Sequence, residues 1–167
     1  SATPYKLGAG TMKFMARSCV GEKERDREPS DAGVNYLKDR LVRSLESDAA
    51  CFEFLIQKGS QSSGMPIEDP TVAWSTKESP YIKVATLRIP KQTGVDSEAQ
   101  MNFCENISFN PWRAPAENRP LGAINRARLE TYGQIADLRH DHNRIPVMQP
   151  TNHEPCQGET APLCDKP

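Results

Sequence analysis

An arginine and a tyrosine stand four residues apart near the C-terminal end of this chain, at Arg128 and Tyr132. If the segment is helical, the guanidinium lies one turn from the phenol and can donate hydrogen bonds to its oxygen. The positive charge and the hydrogen bond both favour the phenolate over the phenol. A phenolate held in this way is a candidate metal ligand, so the pair points to metal or cofactor chemistry.

The segment 119–144 has the spacing of an amphipathic helix. Apolar side chains recur three or four residues apart at Leu121, Ile124, Tyr132, Ile135 and Ala136. Pro120 suits the first turn of this predicted helix, where a missing N–H costs little. Arg128 and Arg139 fall on the same stripe. Because a guanidinium is costly to bury alone, we expect each arginine to have a partner on this face.

Several motifs in this part of the chain resemble the catalase superfamily. The run Arg128-Leu129-Glu130-Thr131-Tyr132, with Arg139 seven residues after the tyrosine, is similar to the proximal haem signature of that superfamily, usually Arg-Leu-Phe-Ser-Tyr. Four upstream segments resemble its catalase-related branch: Met-Pro-Ile-Glu-Asp-Pro at 65–70, Ser-Pro-Tyr at 79–81, Phe-Asn-Pro-Trp at 109–112 and Arg-Pro-Leu-Gly at 119–122. The resemblance runs from about residue 50 to 144 and depends on the order and spacing of these motifs together.

The resemblance implies a ferric haem whose iron is held by the Tyr132 phenolate. Arg128 would stabilise the charge on that oxygen, Arg139 would pair with a haem propionate, and Ile124 would lie on the cofactor side of the helix. Arg128 and Tyr132 are therefore the candidate catalytic residues. The implied activity is peroxide processing, either as a catalase or peroxidase or by rearrangement of hydroperoxides.

The same resemblance implies that part of the haem site comes from elsewhere. In the family, the acid–base histidine and its asparagine partner lie in the N-terminal half, whereas this sequence has no histidine before His140. We expect a companion chain or an N-terminal half to complete the domain, and a homo-oligomer is compatible with this expectation. Residues 1–144 would form the C-terminal half of a catalase-like haem domain, and residues 145–167 a Pro-rich tail.

The predicted elements favour an α+β fold, part of an antiparallel catalase-like haem β-barrel with flanking helices. We expect strands at 4–18, 51–57 and 81–89, and helices at 30–46, 98–105 and 119–144. Gly8 and Gly10 suggest a bulge in the first strand. Ser30 or Asp31 would cap the first helix. The stripe predicted to be buried on that helix is Val34, Leu37, Leu41, Val42 and Leu45.

Composition bounds the remaining function classes. The chain has 167 residues, which favours one domain, and its net charge of −1 gives no electrostatic case for nucleic acid or an anionic membrane as a partner. No apolar run approaches the roughly 20 residues of a membrane span. The charged run at 22–28 is typical of a solvated loop. None of these observations identifies a substrate.

Two further hypotheses remain beside the haem enzyme. One is a haem-free binding or structural module in which Arg128 and Tyr132 are structural residues. The other is a secreted domain with a Cys156–Cys164 disulfide in its tail, which would place the protein in the periplasm or outside the cell. A zinc site is not favoured, because His140 and His142 are loosely spaced and the tail cysteines are far apart. An optical spectrum of the native protein separates these hypotheses.

Overall fold

The computed structural model of the protein describes residues 1–20, 29–60 and 64–145. The strands and helices are, in chain order, β1 (Tyr5–Leu7), β2 (Gly10–Ser18), α1 (Tyr36–Ser47), β3 (Ala50–Lys58), β4 (Ile82–Ile89), α2 (Glu98–Asn106) and α3 (Ala123–Asn143). A short 3-10 helix at Ala116–Asn118 precedes α3. Helices combined with an antiparallel sheet agree with the predicted mixed class.

The first predicted strand is a hairpin and not one interrupted strand. β1 and β2 pair antiparallel, with Tyr5 opposite Met12 and Leu7 opposite Gly10. Gly8 has a φ of 58°, in the left-handed region that glycine adopts without steric cost. Of the two glycines predicted to mark a bulge, Gly8 therefore lies in a tight turn and Gly10 begins β2, so residues 5–18 fold back on themselves.

The strands form one antiparallel sheet in the order β1-β2-β3-β4. The outer side of β1 is covered by the chain before α3, because Lys6 N donates to Arg119 O at 2.9 Å and Leu121 N donates to Pro4 O at 3.0 Å. The opposite edge is β4, on which every side chain except Ile89 is exposed. In the described residues the sheet is open, so the predicted barrel is not closed.

The described residues fall into two compact units. The first contains Ser1–Arg17, Phe54–Ala85 and the described chain from Ser108 onward. Its core consists of the buried Tyr5, Met12 and Ile56, with the half-buried Leu7, Phe14 and Phe54 packed against them. The ring centroids of Phe14 lie 5.0 Å from Tyr5 and 5.5 Å from Phe54, a normal spacing for tilted aromatic pairs. Tyr5 connects this core to α3, because Arg128 Nη1 donates to its hydroxyl at 3.5 Å.

The second unit contains Ser18–Glu53 and Thr86–Ile107. A disulfide joins Cys19, just after β2, to Cys51 at the start of β3, with the Cα atoms 5.4 Å apart. This pairing is not the one that the sequence suggested, and Cys156–Cys164 lies outside the described residues. Cys104 on α2 is a free, exposed thiol.

The helix α1 begins later than predicted and buries little of its apolar stripe. It starts at Tyr36 after Asn35, and no side chain caps it, so the predicted caps Ser30 and Asp31 are wrong. The reason is local: Tyr36 N donates to Gly33 O at 3.0 Å, so the preceding residues form turns. Of the predicted buried stripe, Leu45 is buried, Val42 is half-buried, and Val34, Leu37 and Leu41 are exposed.

The helix α3 also begins later than predicted, at Ala123 instead of the first turn at Pro120. Pro120 is fully buried and forms a β-bridge with Tyr5, so the chain is extended there and cannot start a helix. The helix ends at Asn143. The next residue, Arg144, has a left-handed φ of 54°, and its N–H donates to Asp141 O at 3.2 Å and so closes the last turn.

The stripe predicted to be buried on α3 is largely exposed. Of the predicted set, Ala136 is buried and Leu121 is half-buried, whereas Ile124, Tyr132 and Ile135 are 45%, 38% and 56% exposed. The buried residues are Asn125, Ala136 and His140. The buried face of α3 is therefore shifted by about one residue from the predicted stripe, from Ile124 to Asn125 and from Arg139 to His140. None of the helices in the described part of the chain is long and apolar enough to cross a membrane.

Candidate functional site

The predicted site residues lie together along one exposed side of α3. Ile124, Arg128, Tyr132, Ile135 and Arg139 follow one another at spacings of three or four residues, so they form one line along the helix surface. We call this line the tyrosine strip. At about 1.5 Å per residue it is roughly 22 Å long. It combines two exposed isoleucines with two arginines and one phenol.

The predicted contact between Arg128 and Tyr132 is present. Arg128 Nη2 donates to Tyr132 Oη at 3.1 Å, and the guanidinium carbon lies 5.0 Å from the centre of the phenol ring. The pKa of Arg128 is raised above its ordinary value, chiefly by this hydrogen bond to Tyr132. The guanidinium is therefore a permanent cation beside the phenol oxygen, as a stabiliser of negative charge must be.

Arg139 and Ile124 occupy the two ends of the tyrosine strip. Arg139 is half-buried two turns after Tyr132, and Ile124 is 45% exposed two turns before it. The helix thus places a second cation and an apolar side chain on either side of the phenol. Their predicted roles toward a propionate and a porphyrin stay predictions.

The motif at 109–112 fixes the first turns of α3. Trp112 Nε1 donates to the backbone oxygen of Asn125 at 2.6 Å. Asn110 shapes the approach, because its side-chain oxygen accepts from Trp112 N at 3.0 Å. The resemblance at these residues therefore corresponds to a direct contact with the helix that carries Tyr132.

The motifs at 65–70 and 119–122 meet each other at the start of α3. Gly122, the residue before the helix, has a φ of 87°, and a methyl group there would lie 2.7 Å from Ile67 O. Glu68 and Arg126 form a two-pronged ion pair at 3.1 and 3.0 Å on the surface beside this contact. The hydrogen bond from Arg126 is the main cause of the lowered pKa of Glu68. The two segments thus hold the helix N-terminus in place.

Sequence reasoning missed two residues that touch Arg128. Its Nη1 donates to Asn125 Oδ1 at 3.2 Å and to Tyr5 Oη at 3.5 Å. Asn125 stands one turn before Arg128, which a helical reading could have used, but an asparagine in a helix is ordinarily taken as exposed. Tyr5 lies 123 residues away in sequence, so only the fold brings it to the site.

The histidines after the strip do not converge on a metal site. His140 is 3% exposed with neither ring nitrogen hydrogen-bonded within the described chain, whereas His142 is exposed. Among residues 1–20, 29–60 and 64–145, no group of three or more His, Cys, Asp or Glu side chains could hold a metal ion.

The fold is catalase-like. No protein-family model matches the chain, and no curated protein matches it in sequence. Among solved structures, a crystal structure of a fungal catalase superposes with a TM-score of 0.67 over 87% of this chain, at 14% sequence identity. The chain spans 32% of the length of that catalase. The likeness therefore establishes the fold of about a third of a catalase chain, and what the present chain does is a separate question.

Proposed function

We propose that this chain supplies the tyrosinate-ligand side of a haem site in a peroxide-processing protein. The single observation that carries the proposal is the hydrogen bond of 3.1 Å from Arg128 to the oxygen of Tyr132 on an exposed strip of α3. The catalase-like fold supports it, because a solved structure with a similar fold is that of a fungal catalase.

The chemistry of the tyrosine strip fits the proposed group. A porphyrin is flat and apolar with anionic propionates at one edge, and the strip offers exposed Ile124 and Ile135 with Arg139 at its end. Tyr132 would contribute one oxygen as a ligand of the iron. When bound, ferric haem would supply the chemistry that cleaves a peroxide O–O bond, and tyrosine is the haem ligand of catalases.

The residues of this chain would stabilise charge at the site and fix the position of Tyr132. Arg128 donates from Nη2 to the Tyr132 oxygen and so stabilises a negative charge on it without taking up or releasing a proton. Arg139 would bind a propionate by charge-assisted hydrogen bonds. Trp112 and Gly122 hold the start of α3 and thereby the direction of the tyrosine strip.

We further propose that more polypeptide, in the same or a companion chain, covers the exposed apolar surfaces. On β4, Ile82, Val84 and Leu87 are each about half exposed, and β4 is an edge of the sheet. An exposed apolar edge strand readily pairs with another strand. The chain also spans 32% of the catalase that shares its fold. Both facts support a larger domain.

The test is optical spectroscopy on protein from its native host, purified with any chain that accompanies it. The variants are Tyr132→Phe and the matched control Tyr36→Phe. Tyr36 makes the same kind of contact on α1, where Arg40 Nη1 donates to its hydroxyl at 2.7 Å. We expect a Soret band with ferric tyrosinate features in the parent and in the control, and their loss in Tyr132→Phe.

Each other outcome overturns part of the proposal. A native preparation without a Soret band overturns haem binding. A haem spectrum that Tyr132→Phe leaves unchanged overturns Tyr132 as the ligand. Equal loss in both variants would mean that removing a tyrosine hydroxyl acts through folding.

One observation favours the haem-free alternative. Arg128 donates hydrogen bonds to Asn125, Tyr5 and Tyr132 within the chain, so its position is stabilised without a cofactor. On this hypothesis the strip stabilises the fold, and the native protein is colourless. The same spectrum decides between the two.

A further inference from the structure

Asn125 has the most thoroughly buried side chain of α3, with 0% exposure. Its amide nitrogen donates to Pro4 O at 3.1 Å and to Leu121 O at 2.8 Å. Its amide oxygen accepts from Thr3 Oγ1 at 3.2 Å and from Arg128 Nη1 at 3.2 Å. A carboxamide has two donors and two acceptor positions, so every one of them is used.

The orientation of this amide is dictated by its neighbours. Pro4 O and Leu121 O only accept, and the guanidinium of Arg128 only donates. Turning the amide over would place its NH2 group against the guanidinium and its oxygen against two carbonyl oxygens. The Asn125 oxygen is therefore held toward Arg128 by the partners of the amide nitrogen.

The guanidinium of Arg128 has two ends with different roles. Nη1 points to the buried oxygens of Asn125 and Tyr5, and Nη2 points to the exposed oxygen of Tyr132. Because the guanidinium is planar and its donors diverge at fixed angles, holding Nη1 fixes the direction in which Nη2 donates. Two hydrogen bonds made by one planar group thus connect Asn125 to Tyr132 through Arg128.

We propose that Asn125 is the positioning residue of the tyrosine strip: its buried amide oxygen orients the Arg128 guanidinium so that Nη2 donates to the oxygen of Tyr132. Asn125 touches neither the phenol nor any cofactor and acts through Arg128. The consequence for a haem ligand rests on the proposed function, whereas the orientation of Arg128 is testable without haem.

The backbone of Asn125 is fixed as well. Trp112 Nε1 donates to its carbonyl oxygen at 2.6 Å, so the residue is anchored by main chain and side chain. Both anchors belong to the first unit, as do Thr3, Pro4 and Arg128. Asn125 is therefore held firmly enough for its side-chain amide to orient the guanidinium of Arg128.

The first readout is NMR of the arginine guanidinium groups in haem-free protein, as solvent exchange of the Arg128 η protons. The variants are Asn125→Leu, which removes the oxygen, and the matched control Thr3→Val, which removes another hydrogen bond to the same oxygen. We expect exchange to accelerate about tenfold or more in Asn125→Leu, because a partly buried hydrogen bond from a charged donor is lost. In Thr3→Val it should stay within about twofold, since the Arg128 bond remains. Equal acceleration in both, or none in Asn125→Leu, overturns the proposal.

A conservative variant keeps the proposal testable if Asn125→Leu does not fold. Asn125→Asp retains an oxygen toward Thr3 and Arg128 but loses both donors to the carbonyl oxygens of Pro4 and Leu121. We expect it to be less stable than the parent while exchange at Arg128 stays slow. Fast exchange in a folded Asn125→Asp protein overturns the positioning role and leaves only a structural one.

The second readout is the tyrosinate signature in native haem-containing protein. We expect its band to shift in Asn125→Leu and to stay in place in Thr3→Val. If the native protein holds no haem, the proposed function fails and the NMR comparison still decides the role of Asn125. If haem is bound and neither readout responds to Asn125→Leu, the positioning role fails while the proposed function stands.

Discussion

Replacing Gly122 by alanine tests the joint that sets the start of α3. Gly122 has a φ of 87° and a ψ of 162°, a backbone conformation that is essentially reserved for glycine. An added methyl group would lie 2.7 Å from Ile67 O. Since that oxygen belongs to the backbone, it cannot rotate away as a flexible side chain could.

The expected loss of stability follows from these two effects. An alanine in such a conformation costs about 1–3 kcal/mol, and forcing an extra methyl group into a filled space costs about 1–3 kcal/mol. We therefore expect Gly122→Ala to lower the free energy of unfolding by about 2–6 kcal/mol. The matched control is Gly133→Ala in the same helix, where nothing lies within 4 Å of the added methyl group. It should stabilise the protein by about 0.5–1 kcal/mol.

Urea unfolding measures both variants. A shift of the midpoint at constant slope reports stability alone, whereas a changed slope would indicate a different denatured state. If Gly122→Ala stays within about 0.5 kcal/mol of the parent, the usual range of neutral surface substitutions, the approach of Ile67 to the helix start is refuted. If Gly133→Ala destabilises as much as Gly122→Ala, the loss is not specific to that joint.

Three further predictions concern the supports of the same fold. Trp112→Phe should lower the free energy of unfolding by about 1–2 kcal/mol, because the indole bond to Asn125 is lost and the ring shrinks; urea midpoints measure it. Burial lowers the pKa of Lys13 in the native state. Between this lowered pKa and the unfolded-state pKa of about 10.4, the unfolded chain binds more protons than the native protein, so the free energy of unfolding should rise with pH. Lys13→Met should abolish that alkaline rise in pH-dependent urea midpoints, and an unchanged rise would contradict the assignment. Reducing Cys19–Cys51, whose sequence separation is 32, should cost about 3–4 kcal/mol on the chain-entropy estimate. The check is a Cys51→Ser variant, whose urea midpoint should not change when reductant is added.

The sequence predicted the long helix and its Arg128–Tyr132 contact, because both follow from spacing within one segment. It placed the helix start wrongly, since Pro120 is extended by its bridge to Tyr5, which is remote in sequence. The Cys19–Cys51 disulfide was missed for the same reason, because it requires knowing how β2 pairs with β3.

Burial was the least predictable property. Apolar periodicity identifies the side of a helix that favours apolar surroundings. It does not tell whether other residues of the same chain pack against that side. On α3 the chain buries Asn125 and leaves Ile135 at 56% exposure. A buried asparagine is stable there because every amide donor and acceptor is paired, a condition that depends on Thr3, Pro4 and the fold.

The contrast between the two sides of α3 bears on what the exposed side is for. The inner side carries a fully paired carboxamide, and the outer side carries Ile124, Tyr132 and Ile135 at 38–56% exposure. On the proposed function, the isoleucines next to Arg128 and Arg139 would match an apolar and anionic partner. The same guanidinium joins both sides, because Arg128 spans from the buried amide to the exposed phenol. On the proposed function, the buried side of α3 would in this way orient the exposed oxygen of Tyr132.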